Sequence, residues 1–174
     1  MSAPQIDVRE AGAADSAAMA AVYNHYIENS VATFETTAVT GEEFAARVSA
    51  VCAAGLHWLV ARRGDELAGY AYAAPWNRRC AYRLSVETTV YVSQAAAGQG
   101  IGSVLYDELF ARLRADGYHV AIAGISLPNA ASVALHEKFG MRKVAHFSEV
   151  GNKFDRWIDV GYWQVILERE EHTP

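Results

Sequence analysis

A mixed β-sheet flanked by helices, an α/β (α+β mixed) fold, is predicted by three features of this 174-residue chain. Apolar residues alternate or run continuously in some segments and recur at helical spacing in others. Two β-rich runs, His57 to Arg62 and Glu66 to Ala73, are joined by Arg63-Gly64-Asp65, which predicts a hairpin. Further along, β-rich runs are separated by helical ones, so strand-helix-strand units accompany the hairpin.

Each element has its own signal. Ile6 to Arg9 alternates as a short strand, and Ala14 to Asn29 carries Met19, Val22, Tyr23, Tyr26 and Ile27 at helical spacing. Thr40 and Glu43 have capping-box spacing before Phe44, Val48 and Val51, so a second helix is expected to reach about Ala54 and stop at Gly55. A longer β-like stretch runs from about Tyr82 to Val92. Val104, Leu105, Leu109, Phe110 and Leu113 mark a helix ending near Gly117. Val120 to Ile125 reads as a buried strand, and Asn129 can cap a helix with Val133, Leu135 and Phe139 that stops at Gly140. Arg142 to Val150 and Trp157 to Leu167 read as a terminal β pair, followed by a charged, frayed tail, EREEHTP.

Composition bounds the function. A chain of this length buries roughly 70% of its unfolded surface, enough for one domain with its own core. The 52% hydrophobic and 20% charged content is that of an ordered globular protein. A net charge of −5 argues against a general nucleic-acid surface. Cys52 and Cys80 form neither a CxxC nor a Cys/His metal spacing, so no metal site is expected and a reducing cytoplasm is. MSAPQIDVRE lacks an export signal and no run of about 18 apolar residues occurs, so neither export nor membrane spanning is expected. No repeat or linker divides residues 1–174, and a single domain with a core over about 5–167 is expected.

The segment SQAAAGQGIGS, residues 93–103, joins the long strand to the next helix and has no charged side chain. It is neither GxxxxGK[ST] nor GxGxxG, because Ser103 stands where the third glycine of the latter belongs. Closely spaced glycines let backbone approach a ligand, and N–H groups at a helix start can converge on an anion. A tight strand-to-helix turn without a ligand is the alternative.

Val90-Tyr91-Val92-Ser93, the glycine loop, the helix start GSVLYDEL, and Asn129-Ala130-Ala131-Ser132 before Gly140-Met141 together resemble the GNAT superfamily of acetyl-CoA-dependent N-acetyltransferases. Asn24-His25-Tyr26, Ala32-Thr33-Phe34-Glu35, Gly69-Tyr70-Ala71-Tyr72, Pro75-Trp76, Val86 to Val92 and Gly151 to Asp159 are similar to the phosphinothricin and methionine sulfoximine acetyltransferase branch, over about residues 5 to 167. The resemblance implies a twisted mixed sheet with acetyl-CoA in the cleft after the long central strand. It implies that Gly98, Gln99, Gly100, Ile101, Gly102 and Ser103 cradle the CoA diphosphate through their backbone. Main-chain groups near Val90, Tyr91 and Val92 would hold the pantetheine arm and polarise the thioester carbonyl. Ala97 replaces the Gln or Arg that opens the family's loop, removing one polar side chain from the cradle. Asn129 would combine a cofactor contact with a helix cap.

Amide formation from a thioester needs a neutral amine, and an amino-acid α-amine with pKa near 8 is mostly protonated at neutral pH. Glu87, in SVETTVYV, is the candidate base, and on a regular strand it shares a face with Thr89 and Tyr91. A solvated acidic side chain is the bland alternative. His136 stands where many superfamily members have Tyr, so by resemblance it would assist thiolate departure or lie near the cofactor; a packed helix histidine is the alternative. Asn77, Arg78, Arg79 and Tyr82, with Glu87, Thr88 and Thr89, would line the acceptor pocket, since arginine grips a carboxylate or phosphinate through paired N–H bonds. The two arginines read equally as a solvated loop pair.

The expected activity is transfer of acetyl from acetyl-CoA to the α-amine of phosphinothricin, methionine sulfoximine, methionine sulfone or a similar compound. The alternatives are protein N-terminal acetylation and a non-catalytic CoA-binding sensor. A small-molecule amine is the expected partner, with no nucleic acid and no membrane. The resemblance implies a homodimer in which Phe34, Lys153 and Phe154 lie near the acceptor site or the packing surface.

Overall fold

The computed structural model describes residues 6–167, so the charged tail lies outside the described residues. Seven strands form one sheet: β1 (Ile6–Glu10), β2 (Trp58–Arg63), β3 (Glu66–Pro75), β4 (Ser85–Val92), β5 (Val120–Leu127), β6 (Arg142–Lys153) and β7 (Arg156–Ile166). Their order across the sheet is β1-β2-β3-β4-β5-β7-β6. Among the described residues only the β4–β5 pair is parallel; the helix α3 (Ile101–Ala115) forms the crossover it requires. Helices α1 (Ser16–Asn29), α2 (Gly41–Ala53) and α4 (Ala130–Lys138) complete the fold, which is the mixed sheet with flanking helices expected above.

Local chemistry explains the elements. Thr40 Oγ1 accepts the Glu43 N–H at 3.2 Å and the Glu43 carboxylate accepts the Thr40 N–H at 2.7 Å, so α2 starts on the expected capping box. It buries Phe44, Val48 and Val51 on one face. α1 buries Met19, Tyr23 and Ile27 at four-residue intervals, and α3 buries Leu105, Tyr106, Leu109, Phe110 and Leu113. Trp58 to Ala61 of β2 is buried on both faces because α1 and α2 cover one side of the sheet and α3 the other.

One buried charge ties the first strand down. Asp15 is almost fully enclosed and receives four hydrogen bonds: two from Arg9 at 2.8 and 2.9 Å, one from Arg62 at 3.0 Å and one from the Gly12 N–H at 2.8 Å. The Arg9 bonds, with Gly12, hold its pKa below the ordinary carboxylate value against the opposing effect of burial.

Three expectations need correction. The long strand begins at Ser85, not Tyr82, because residues 80–82 close a short 3₁₀ turn and leave Tyr82 exposed. The α3 helix begins at Ile101, one residue before the GSVLYDEL start read from the sequence. The first terminal strand is longer than read: β6 continues to Lys153 through a bulge at Phe147–Gly151, and the turn to β7 is only Phe154-Asp155, both at positive φ without a glycine.

Candidate active site

The parallel β4–β5 pairing lasts for three residues, Ser85 with Val120, Val86 with Ala121 and Glu87 with Ile122, and then stops. Beyond it β4 stays paired with β3 through Val92, and β5 stays paired with β7 through Leu127. The strands therefore diverge between two anchored arms. Antiparallel pairing uses alternate backbone groups, so on Thr88–Val92 those facing the gap have no strand partner. Such groups need a partner other than the sheet.

A cavity of about 380 Å³ occupies this gap. Thr88 to Val92 form one wall, Gly124 to Ser126 the opposite one, Ala96 to Gly98 and Gly100 to Ser103 its floor with the start of α3, and Asn129, Ser132, Leu135 and His136 of the α4 region close it. Gly98 and Gly100 have φ of +73° and +80°, where a side chain would be strained. A Cβ on Gly102 would lie 2.8 Å from Leu135 Cδ2, so its absence lets α3 and α4 approach closely. The first N–H groups of α3, Ile101 to Ser103, have no helical acceptor, since the helix ladder opens with Val104 N–H to Gly100 C=O. They make a neutral anion cradle.

The structure brings most of the predicted cofactor residues to this cavity: Val90, Tyr91, Val92, Gly98, Gly100, Ile101, Gly102, Ser103 and Asn129 all line it. Gln99 does not; it is exposed, and its amide donates to the Ala95 carbonyl at 2.8 Å, bracing the turn. Asn129 Oδ1 accepts the Ser132 N–H at 3.1 Å, so its capping role and its place at the cavity coexist. Ala97 is exposed, at the mouth of the cradle. Ala97→Arg is expected to tighten acetyl-CoA binding a few-fold by adding one charge-assisted contact. Calorimetric titration checks this, and unchanged affinity would mean that the backbone cradle needs no side chain there.

Glu87 lies at the vertex, on the opposite face of β4 from Thr88. It is half-buried, and burial raises its carboxyl above the ordinary glutamate range. Register places Thr89 beside Tyr72 of β3 on the Glu87 face. Gly124 leaves room for the Tyr162 ring: a Cβ there would sit 3.2 Å from it. Burial first, then the nearby Glu87 carboxylate, raises the Tyr162 phenol. Trp76 meets Tyr162 edge-on at 5.7 Å. Glu87 thus opens onto an aromatic recess, whereas Thr88 is buried against α3.

His136 is buried in the cavity wall with both nitrogens engaged. Nδ1 lies 2.7 Å from the Ser132 carbonyl, which can only accept, so Nδ1 carries the proton. Nε2, 2.9 Å from the Tyr106 hydroxyl, therefore accepts from it. Burial pushes the imidazole pKa down, consistent with this neutral form.

Asn77, Arg78, Arg79 and Tyr82 sit on the exposed 76–84 connection and do not line the cavity. The base of that connection is closed by the Trp76 N–H to Ser85 carbonyl bond at 3.2 Å, two residues from Glu87. Glu87 does not line the cofactor cavity but stands at the vertex where it opens, on the same face of β4 as Thr89 and Tyr91 of the cavity wall. Sequence reasoning missed Tyr72, Tyr162 and Ser126. Ser126 Oγ is buried in the cavity wall with no hydrogen-bond partner among the described residues, an atom that a polar ligand arm would satisfy.

A parallel strand pair that splays over a glycine cradle, with a shielded carboxylate at its vertex, defines a CoA-dependent acyltransferase. The acetyltransferase (GNAT) family model matches residues 19–141, and the chain belongs to that family. It is 40% identical over 166 residues to a phosphinothricin N-acetyltransferase of Streptomyces coelicolor, covering 94% of this chain and 97% of the relative. It is 35% identical over 168 residues to an L-methionine sulfoximine/L-methionine sulfone acetyltransferase of Pseudomonas paraeruginosa, covering 96% and 98%. A solved phosphinothricin acetyltransferase of Sinorhizobium meliloti in complex with AcCoA superposes with a TM-score of 0.90 at 35% identity, covering 97% of this chain and 92% of that one. The GNAT fold, N-acetyltransferase activity and use of acetyl-CoA follow. Among the described residues no group of three or more His, Cys, Asp or Glu is placed to hold a metal, and no helix is long and apolar enough to cross a membrane.

Proposed function

We propose that this enzyme acetylates the α-amine of a small, acidic or strongly polar amino-acid analogue of the phosphinothricin, methionine sulfoximine or methionine sulfone type. The observation that carries the reading is the position of Glu87, a shielded carboxylate at the meeting point of the cofactor cleft and a compact aromatic recess. Similarity to the phosphinothricin and the L-methionine sulfoximine/L-methionine sulfone acetyltransferases supports the same substrate class.

Bound acetyl-CoA supplies the acetyl thioester. Its diphosphate suits the neutral cradle of Gly98 to Ser103, with Asn129 and Ser126 along its path. Freed backbone N–H groups on Thr88–Val92 donate to the carbonyl oxygen as it gains negative charge. Glu87 accepts the proton that the amine gives up as the N–C bond forms. A departing thiol with pKa near 8.5 needs little acid help, which agrees with an imidazole held neutral. We therefore assign His136 to shaping the cavity wall through Ser132 and Tyr106. Thr89 and Tyr162 flank the amine, while Asn77, Arg78, Arg79 and Tyr82 close over the acceptor's acidic end.

Val144, Phe147, Val150, Phe154 and Trp157 of the β6–β7 hairpin are half-exposed or more. A patch of this kind supports a homodimer. Cys52 and Cys80 are both free and exposed, which supports a reducing, cytoplasmic setting.

Thiol release with a panel of amines tests the substrate assignment. Phosphinothricin and methionine sulfoximine are expected to outpace peptides bearing a free N-terminus by a factor of about 100 or more in kcat/KM, the scale of discrimination that a buried polar site provides. Turnover of peptides alone would replace this reading with protein N-terminal acetylation, and cofactor binding without turnover of any amine would favour a CoA sensor.

A further inference from the structure

Among the described residues, those lining the cleft include neither a lysine nor an arginine, and residues 93–103 carry no charge. A CoA diphosphate brings two negative charges to the start of α3. Backbone N–H groups supply dipoles there but no compensating unit charge. A cation comes from another element. Lys138, the last residue of α4, reaches across to α3, and its Nζ donates to Ser103 Oγ at 2.8 Å. Ser103 itself lines the cavity.

Three features make Lys138 available to an anion. Among the described residues no carboxylate lies within salt-bridge distance of it, so its charge is not already neutralised. The ammonium has three N–H groups, and the bond to Ser103 uses one. Having accepted from Lys138, the Ser103 hydroxyl can turn its own proton toward the cavity. The pair thus presents an ammonium and a hydroxyl beside the α3 N–H groups.

We propose that Lys138, acting with Ser103, is the cation that binds the CoA diphosphate, supplying from α4 the charge absent from the glycine loop. The inference rests on acetyl-CoA occupying the β4–β5 cleft. It assigns phosphate recognition to a residue 35 positions beyond Ser103, and it makes affinity depend on the approach of α4 to α3 that Gly102 and Leu135 permit.

Calorimetric titration of the intact enzyme with three ligands tests it: CoA, dephospho-CoA lacking the 3′-phosphate, and pantetheine lacking the diphosphate. Lys138→Met is expected to weaken CoA and dephospho-CoA alike, by roughly five- to tenfold, and to leave pantetheine unchanged. Lys138→Arg should retain the affinity, and the wild-type dissociation constant for CoA should rise more steeply with salt than that of Lys138→Met. Equal weakening of pantetheine would show a structural effect, and loss confined to CoA would move the lysine to the 3′-phosphate. Either result, or unchanged affinity for all three, would overturn the assignment. If the wild type binds neither CoA nor pantetheine, the cofactor reading itself fails.

Discussion

Glu87→Gln is expected to lower kcat for acetyl transfer at pH 7 by about 100-fold or more, within the range of roughly 10² to 10⁴ associated with a positioned general base. The isosteric amide keeps the shape of the vertex and cannot accept the amine proton. Burial raises the Glu87 carboxyl, so the acid limb of the wild-type kcat profile should lie above the ordinary glutamate range. Below that limb the carboxyl is protonated and idle; above it the base is competent. In Glu87→Gln that limb should vanish, leaving the ionisation of the amine to set the profile. A variant that kept the wild-type rate between pH 6 and 9 would remove Glu87 from the chemistry. Affinity for CoA should be unchanged, because Glu87 does not line the cofactor cavity.

The largest expected effect on stability belongs to Asp15. Asp15→Asn replaces one of two acceptor oxygens by an NH₂ group that faces guanidinium donors, and it removes the charge between Arg9 and Arg62. The expected cost is about 3 kcal/mol, or a fall of roughly 10 °C in Tm. The pH dependence follows from the lowered carboxyl. Its contribution is fully present above the unfolded-state value of 3.8 and is lost as pH falls through the lower folded value. Denaturant titrations should therefore show the difference between wild type and Asp15→Asn shrinking as the solution is acidified below pH 3.8. A difference constant through that window would mean that the ion pairs add nothing to stability.

Neither site is remote from the primary sequence, yet they differ in how they can be read there. Features set by neighbouring residues were legible: the Thr40–Glu43 box, the Arg63-Gly64-Asp65 turn, the apolar faces of α1 to α3, and glycines at 98, 100 and 102 that let backbone approach a ligand. Features set by the sheet were not. The end of β4–β5 pairing after Glu87 depends on which outer partners hold each strand, and no local pattern encodes it. The Tyr106–His136 bond joins residues 30 positions apart and decides the imidazole's protonation. The positive-φ turn at Phe154-Asp155 lacks the glycine that normally announces one. One signal was present and unused: Gly124 and Ser126 interrupt the apolar strand VAIAGISL, the first to admit the Tyr162 ring and the second to bring a hydroxyl to the cavity.

The Ala97 position keeps its interest in this light. The loop that begins there carries no charge, and the structure supplies Lys138 across the mouth of the same cradle. Arg at position 97 and Lys at 138 are thus two routes to one requirement, a cation beside a diphosphate held mainly by backbone N–H groups.

A crystal structure of the ternary complex with CoA and methionine sulfoximine tests the central claim most directly. The sulfur should lie in the cleft between Thr88–Val92 and Gly124–Ser126, with the acceptor amine on the Glu87 side of β4, within hydrogen-bonding reach of the carboxylate directly or through one water. An acceptor seated on the α3–α4 side beside His136, with Glu87 beyond reach, would contradict it.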